Sequence, residues 1–294
     1  MRFDWYQASI QAKNQDVVRE LLKLGHELVN VPPRHHYTDG YQVLHKARGA
    51  VATVWVGGRG VDPHAFATSD DTEAFVDLVR TAWPDRHLVT RLDAAEDFNE
   101  SGSYDRLRPV ARRIAKRHRL KFPKYEDDLN PCAGRTQYIG GTSSDYRVRL
   151  YEKGWEQVAK VHAGFKGKIP IESIESITNK STGETLRPED WTRIELQVRP
   201  RQEEGRRVAA VATPEQVWGF STWTHELALE AMALDLERIF IRTKRVSNDE
   251  AALAWMCRQY GSMLMRLRDD LGDFSAVGKQ IEYVIQEQAA YRDR

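Results

Sequence analysis

The sequence predicts an α+β fold: an open, mostly antiparallel sheet built from ferredoxin-like units, with a C-terminal helical segment. Two observations support this prediction. In the first third of the chain, strand-like and helix-like segments follow the order β-α-β-β-α-β, which is the ferredoxin-like order. From Ser221 onward, the sequence has helical periodicity only.

The first ferredoxin-like half covers about residues 1–98. Strands are predicted at 3–10, 41–47, 51–57 and 87–94, and helices at 15–24 and 71–83. The first helix stops at Gly25, a residue that terminates helices readily, and the second stops at Pro84, which cannot continue one. Arg48 and Gly49 supply the turn between the two middle strands.

The second half covers about residues 102–200. An amphipathic helix is predicted at 104–119, with strands at 135–140, 146–152 and 191–199. Residues 161–189 are rich in glycine, serine and threonine, so we expect a long insertion before the last strand.

Pro214 and Gly219 interrupt the pattern, which places a domain boundary there. The expected division is a catalytic domain over 1–215 and a helical segment over 216–294 for DNA binding or assembly. Within that segment, helices are predicted at 222–243, from Ser247 to before Gly272, and at about 275–290.

The composition and charge exclude several classes of protein. The 294 residues carry 44 Lys and Arg against 43 Asp and Glu, and the net charge of +1 excludes a uniformly basic coating protein. No apolar stretch approaches the roughly 20 residues of a membrane span, and the N-terminus has no apolar signal region. Cys132 and Cys257 are expected to be two buried free thiols. We therefore expect a cytoplasmic protein without a membrane partner.

Three predicted strands carry charged residues on one face. Because alternate residues of an extended chain point the same way, each strand groups its polar side chains: Arg91, Asp93 and Asp97; Arg147, Arg149 and Tyr151; Arg193, Glu195, Gln197 and Arg199. Carboxylates among arginines suit a hard divalent cation beside a phosphate, and a tyrosine there could attack phosphorus. The alternative is a solvated sheet face on which Tyr151 is a half-buried packing residue.

At these strands the sequence resembles a known family. The segment YIGGTSSDYRVRLYEKG, from Tyr138 to Gly154, is similar to the pattern Y-x-G-x-x-x-S-D-x-x-x-R-[IL]-Y-[DEN]-K of rolling-circle replication initiators. That family includes staphylococcal plasmid Rep proteins, nicking relaxases of some integrative elements and initiators of certain filamentous phages. The upstream RLDAAEDF and downstream RIELQVR segments resemble its R-x-D-x-x-x-D and R-x-E-x-x-[LV]-[KR] strands.

The resemblance implies a sequence-specific endonuclease that nicks one strand of an origin and later religates it. The residue matching the nucleophile is Tyr151, which would form a 5′-phosphotyrosyl intermediate and leave a 3′-OH primer. The carboxylates matching the ligands of Mg²⁺ or Mn²⁺ are Asp93, Asp97 and Glu195. Arg149 and Lys153 would hold phosphate or lower the pKa of the phenol.

Basic residues supply candidate DNA contacts. Between Arg106 and Lys124 there are nine Lys and Arg and no acidic residue, a run that either neutralises phosphates or forms a solvated helix face. The candidates are Arg91, Arg147, Arg193 and Arg199 on strands, Arg112, Arg113, Lys116 and Arg117 on the helix, and Arg242, Lys244 and Arg245 at a later helix end. The expected partner is origin DNA, duplex and single-stranded.

Further partners and alternatives follow from what the sequence lacks. Without a G-x-x-x-x-G-K-[ST] motif the protein would need a separate host helicase. The second strand transfer would need a second subunit in a homodimer, a water, or the same tyrosine after release. Tyr138 is either structural or a second nucleophile, and His35-His36 is read as a solvated loop.

The rival functions are a mobilisation relaxase of an integrative element and a non-enzymatic origin- or operator-binding protein. A tyrosine recombinase lacks its expected histidine and arginine here.

Overall fold

The computed structural model describes residues 1–58, 61–127, 131–164, 170–179, 182–234, 236, 238, 239 and 248–292. The strands are β1 (Arg2–Ile10), β2 (Glu27–Asn30), β3 (Asp39–His45), β4 (Gly49–Val56), β5 (His64–Thr68), β6 (His87–Phe98), β7 (Lys124–Tyr125), β8 (Thr136–Ile139), β9 (Tyr146–Glu152), β10 (Ile177–Thr178), β11 (Thr185–Leu186) and β12 (Thr192–Val198). The helices are α1 (Asn14–Leu21), α2 (Thr72–Ala82), α3 (Ser103–Arg117), α4 (Lys153–Gly164), α5 (Glu203–Val211), α6 (Pro214–Val217), α7 (Thr222–Met232), α8 (Asn248–Leu271) and α9 (Phe274–Arg292).

Ten strands of the described chain form one open antiparallel sheet in the order β2-β3-β4-β5-β1-β6-β12-β9-β8-β7. The predicted α+β class with an open antiparallel sheet is therefore confirmed. The run β6-β1-β5-β4 has the ferredoxin-like strand order. In the second half, β12 lies between β6 and β9. The last strand in chain order therefore lies in the interior of the sheet rather than at an edge.

The two faces of the sheet differ because side chains alternate along each strand. On β12, Ile194, Leu196 and Val198 are buried in the main core, under the helices. Helices α1, α2, α3, α5 and α7 also contribute buried side chains to this core. The opposite face carries the charged residues of β6, β9 and β12, and we call it the polar face.

Several short elements were not predicted. Strands β2 and β5 are four and five residues long, too short for a clear period. The expected insertion over 161–189 holds the end of α4 and the hairpin β10–β11. Val158 of α4, Ile177 of β10 and Trp191 form a small separate cluster that joins these elements.

The chain divides into two compact units, Met1–Arg242 and Thr243–Arg294. This division lies later than the boundary expected near residue 215, because α7 belongs to the core of the first unit through Leu227 and Ala228. Helix α7 ends at Met232, where Ala233 adopts a left-handed conformation (φ 54°), so the helix predicted over 222–243 is shorter than expected.

The second unit, in its described residues, consists of α8 and α9, as predicted. Gly272 lies between them with φ 99°, a conformation that favours glycine. Both cysteines are free, but neither is buried: Cys132 is half-buried and Cys257 is exposed. No helix in the described part of the chain is long and apolar enough to span a membrane.

Candidate active site

The polar face brings the predicted site residues together. Since β12 lies between β6 and β9, Arg193 is opposite Asp97 on one side and Tyr151 on the other. Glu195 is opposite Arg149 on β9. The three charged strands therefore lie side by side, as the sequence analysis required for a shared site.

Tyr151 is only 3% exposed on this face. Its hydroxyl donates a hydrogen bond to Glu195 Oε2 at 3.4 Å, and Arg149 Nη2 donates to the same oxygen at 3.0 Å. The Arg149 guanidinium carbon also lies 3.9 Å from the centre of the tyrosine ring. These contacts fix the phenol between a carboxylate and a guanidinium.

The pKa of the Tyr151 phenol is raised well above its ordinary value. Burial is the largest cause, and the Glu195 carboxylate raises the pKa further, against the opposing effects of Arg149 and Arg193. Arg149 lowers the pKa of this phenol, as expected, but burial and Glu195 outweigh this effect. In the free protein the hydroxyl is protonated and donates to Glu195.

Lys153 is buried beside the tyrosine, with its ammonium 5.5 Å from the ring centre. It donates to Glu156 at 2.9 Å. Burial and the charge of Arg193 lower the pKa of Lys153, while Glu156 opposes this effect. Because α4 begins at Lys153, this helix lies directly beside the tyrosine.

Asp93 is buried and is held by Arg91, whose Nε donates to Asp93 Oδ1 at 3.0 Å. The Arg91 guanidinium also lies over the ring of Trp5, 4.2 Å from its centre. Burial raises the pKa of Asp93 to about 6, Arg91 opposes this effect, and the nearby Glu195 adds to it.

Asp97, the third expected metal ligand, is paired with Arg193 in this structure. Arg193 donates to its two oxygens at 2.6 and 2.7 Å, and the remaining Nη1 donates to Asp4 at 2.7 Å. Burial alone would raise the pKa of Asp97, but the hydrogen bonds and charge of Arg193 lower it. Arg193 is fully buried, so the structure places it in an ion-pair network rather than on a DNA-contacting surface, as a correction to the sequence prediction.

The expected three-carboxylate metal site is therefore only partly assembled. In the described residues, no group of three or more His, Cys, Asp and Glu side chains could hold a metal ion. The structure does bring Asp93 and Glu195 close enough to influence each other. Two carboxylates fit Mg²⁺, which is commonly bound by one or two carboxylates together with waters and substrate phosphates.

A cavity of about 170 Å³ opens on the polar face beside these carboxylates. The residues that line it are Arg91, Tyr138, Arg147, Arg149, Glu195 and Gln197. The Arg147 guanidinium stacks on Tyr138 at 4.0 Å from the ring centre. Three arginines against one lining carboxylate make this cavity suited to a phosphate, and we call it the arginine cavity.

The other predicted DNA contacts are dispersed. On α3, Arg113 pairs with Glu230 and Arg117 with Glu226, both on α7, while Arg112 and Lys116 are exposed. Helix α3 packs on the face opposite the polar face.

Arg199 is exposed just after β12. Arg242, Lys244 and Arg245 lie outside the described residues. His35 and His36 are exposed in a loop, as expected.

Sequence reasoning missed Asp4 as a partner of Arg193. The two residues are 189 positions apart, and no local period connects them.

Comparisons with known proteins found little. No family model matches the sequence, and no curated protein sequence matches it. The chain is similar to a solved structure described as a rolling circle replication initiator protein from Geobacillus stearothermophilus, with 19% sequence identity and a TM-score of 0.46. The similarity covers 74% of this chain and 82% of that chain. At this level, function has to be inferred from the residues of the site themselves.

Proposed function

We propose that this protein is a rolling-circle replication initiator that nicks one strand of origin DNA with Tyr151. One observation carries the proposal: the Tyr151 hydroxyl donates a hydrogen bond to Glu195, and Arg149 contacts both side chains, beside the arginine cavity. This combination supplies a nucleophile, a proton acceptor and phosphate-binding cations at one point of an open sheet face. The spacing of the Tyr138–Gly154 segment agrees with it.

The proposed step is an exchange of one phosphodiester for another. Tyr151 Oη attacks the phosphorus, the bond from phosphorus to the 3′ oxygen breaks, and the phosphate becomes a 5′-phosphotyrosyl ester. The phenolic proton passes to Glu195 and ends on the departing 3′ oxygen, which becomes the primer hydroxyl. Religation is the reverse reaction, with a 3′ hydroxyl attacking the phosphotyrosine.

Arginines stabilise the charge that develops on the phosphate. Arg91, Arg147 and Arg149 line the cavity in which the phosphate would lie. Arg91 and Arg149 now pair with Asp93 and Glu195, and they can exchange these carboxylates for phosphate oxygens when DNA enters.

Asp93 and Glu195 are the residues that would hold Mg²⁺ or Mn²⁺, and such an ion would act as a Lewis acid on the phosphate. Because the phenol is protonated and almost fully buried, it would be a poor nucleophile in the free protein. This would limit unspecific cleavage. A host helicase would unwind the nicked duplex.

A nicking assay tests the proposal. Supercoiled plasmid carrying the protein's own genomic neighbourhood is incubated with Mg²⁺, with Mn²⁺ or with chelator, and DNA 5′ ends are examined for attached protein. We expect a metal-dependent adduct that Tyr151→Phe abolishes and that Tyr138→Phe retains. Tyr138→Phe is the matched control because it removes a hydroxyl from the same face.

Two results would contradict this assignment. An adduct that survives in Tyr151→Phe and is lost in Tyr138→Phe would move the nucleophile to Tyr138. Intact DNA binding without any cleavage would favour a non-enzymatic origin-binding protein.

A further inference from the structure

A second cavity lies on the polar face, at the end where α4 meets the sheet. Its volume is about 250 Å³, and it is formed by β1, the turn before α2, α4, β10 and β12. Among its lining side chains are Arg2, Lys153, Gln157, Trp191 and Arg193. It shares no lining residue with the arginine cavity.

Tyr151 lies between the two cavities. On one side, its hydroxyl contacts Glu195, which lines the arginine cavity. On the other side, its cross-strand neighbour Arg193 and the nearby Lys153 line the second cavity. A DNA strand whose phosphate reaches Tyr151 would therefore direct one neighbouring nucleotide toward each cavity.

In the second cavity all four lining cations have carboxylate partners, whereas Arg147 of the arginine cavity forms no ion pair among the described residues. The pairs are Arg2 with Asp70 at 2.8 Å, Arg193 with Asp4 at 2.7 Å, Lys153 with Glu156 at 2.9 Å and Lys160 with Glu156 at 2.8 Å. A second phosphate therefore gains little here. A neutral group with hydrogen-bond donors and acceptors is the better fit.

One side chain, Gln157, gives the cavity the means to bind such a group. Gln157 is half-buried on α4 and makes no side-chain hydrogen bond within the described part of the chain, so both ends of its amide are available. An amide of this kind can donate to and accept from the edge of one nucleobase. Trp191 is 4% exposed and packs against Val158 and Ile177, so it closes the apolar wall of the cavity.

We propose that this cavity binds the base of one unpaired nucleotide next to the scissile phosphate, with Gln157 contacting its edge. The base would hold the strand in register over Tyr151, while the arginine cavity holds the phosphate. The inference rests on the proposed function for the identity of the strand, but the binding itself requires no cleavage.

Binding of short fluorescent oligonucleotides in chelator tests the inference, with anisotropy as the readout. The probes are homopolymers of deoxythymidylate, deoxyadenylate and deoxycytidylate, and an abasic oligomer of the same length. Gln157→Ala removes the amide, and Gln157→Phe fills the cavity; Gln11→Ala, at an exposed glutamine after β1, is the matched control. Circular dichroism confirms that each variant is folded.

We expect the wild-type protein and Gln11→Ala to bind the preferred homopolymer roughly tenfold more tightly than the abasic oligomer. Gln157→Phe should lose this difference and keep its affinity for the abasic oligomer, and Gln157→Ala should lose the preference among the bases. Equal affinity for base-bearing and abasic oligomers, or an unchanged preference in folded Gln157→Phe, would overturn the inference.

The two proposals can fail separately. A preference that depends on Gln157, in a protein that never nicks DNA, would remove the nicking function and leave the base site. Nicking by a protein that shows no such preference would remove the base site and leave the nicking function.

Discussion

Replacing Arg193 with methionine should destabilise the first unit of the chain. Methionine keeps most of the aliphatic volume, so the change chiefly removes three hydrogen bonds and one charge. Breaking a buried ion pair typically costs about 3–5 kcal/mol because the partner charge is left uncompensated. The side chains of Asp4 and Asp97 are 16% and 15% exposed, so water can solvate these carboxylates in part. We therefore expect the free energy of unfolding to fall by about 3 kcal/mol, near the lower end of this range.

Thermal and urea unfolding, followed by circular dichroism, measure this loss. For a protein of this size, about 3 kcal/mol corresponds to a fall in Tm of roughly 6–12 °C. The matched control is Arg201→Met, which breaks an ion pair with Asp145 at a 65% exposed arginine and should cost below about 1 kcal/mol. If Arg193→Met unfolds like the wild type but binds DNA more weakly, the reasoning is refuted and Arg193 is a DNA ligand.

Three further predictions concern pH, packing and the metal. Burial lowers the pKa of His64 from 6.5 to about 4, so the unfolded chain binds a proton at a higher pH than the folded chain does. The free energy of unfolding should therefore fall by about 3 kcal/mol as the pH is lowered from 6.5 to 4. The variant His64→Gln should flatten that part of the urea-unfolding pH profile. A Cβ atom at Gly154 would overlap the backbone before β12, so Gly154→Ala should lower stability by about 1–3 kcal/mol in urea unfolding, whereas Gly164→Ala meets open space and should not. Asp93→Ala and Glu195→Ala should each slow metal-dependent nicking by over roughly a hundredfold while duplex binding in a mobility-shift assay stays intact; full activity in both variants would exclude them as metal ligands.

Local patterns account for much of the fold and for the central part of the candidate site. The period of β6, β9 and β12 decided which side chains share a face, because successive residues of a strand point to opposite sides. The same rule placed Arg149 and Tyr151 together. Strands β2 and β5 were missed because four or five residues give only a weak alternation signal.

The partners of the charged residues could not be predicted from these patterns. Arg193 and Asp97 were assigned to DNA and metal, yet each is held by the other in the structure. The sequence shows that both side chains point to the polar face, but their registration depends on β12 pairing with β6 across 96 positions. A local period carries no information about such pairings.

By itself, the sequence determined the class of fold, the two faces of the central strands and the segment that carries Tyr151, since all three follow from residue type and short spacing. Only the tertiary structure decided that Tyr151 is buried with a raised pKa, that each carboxylate of the site is held by an arginine, and that a cavity lies on either side of the tyrosine. These properties depend on desolvation and on contacts between distant strands and α4, which exist only after the chain has packed.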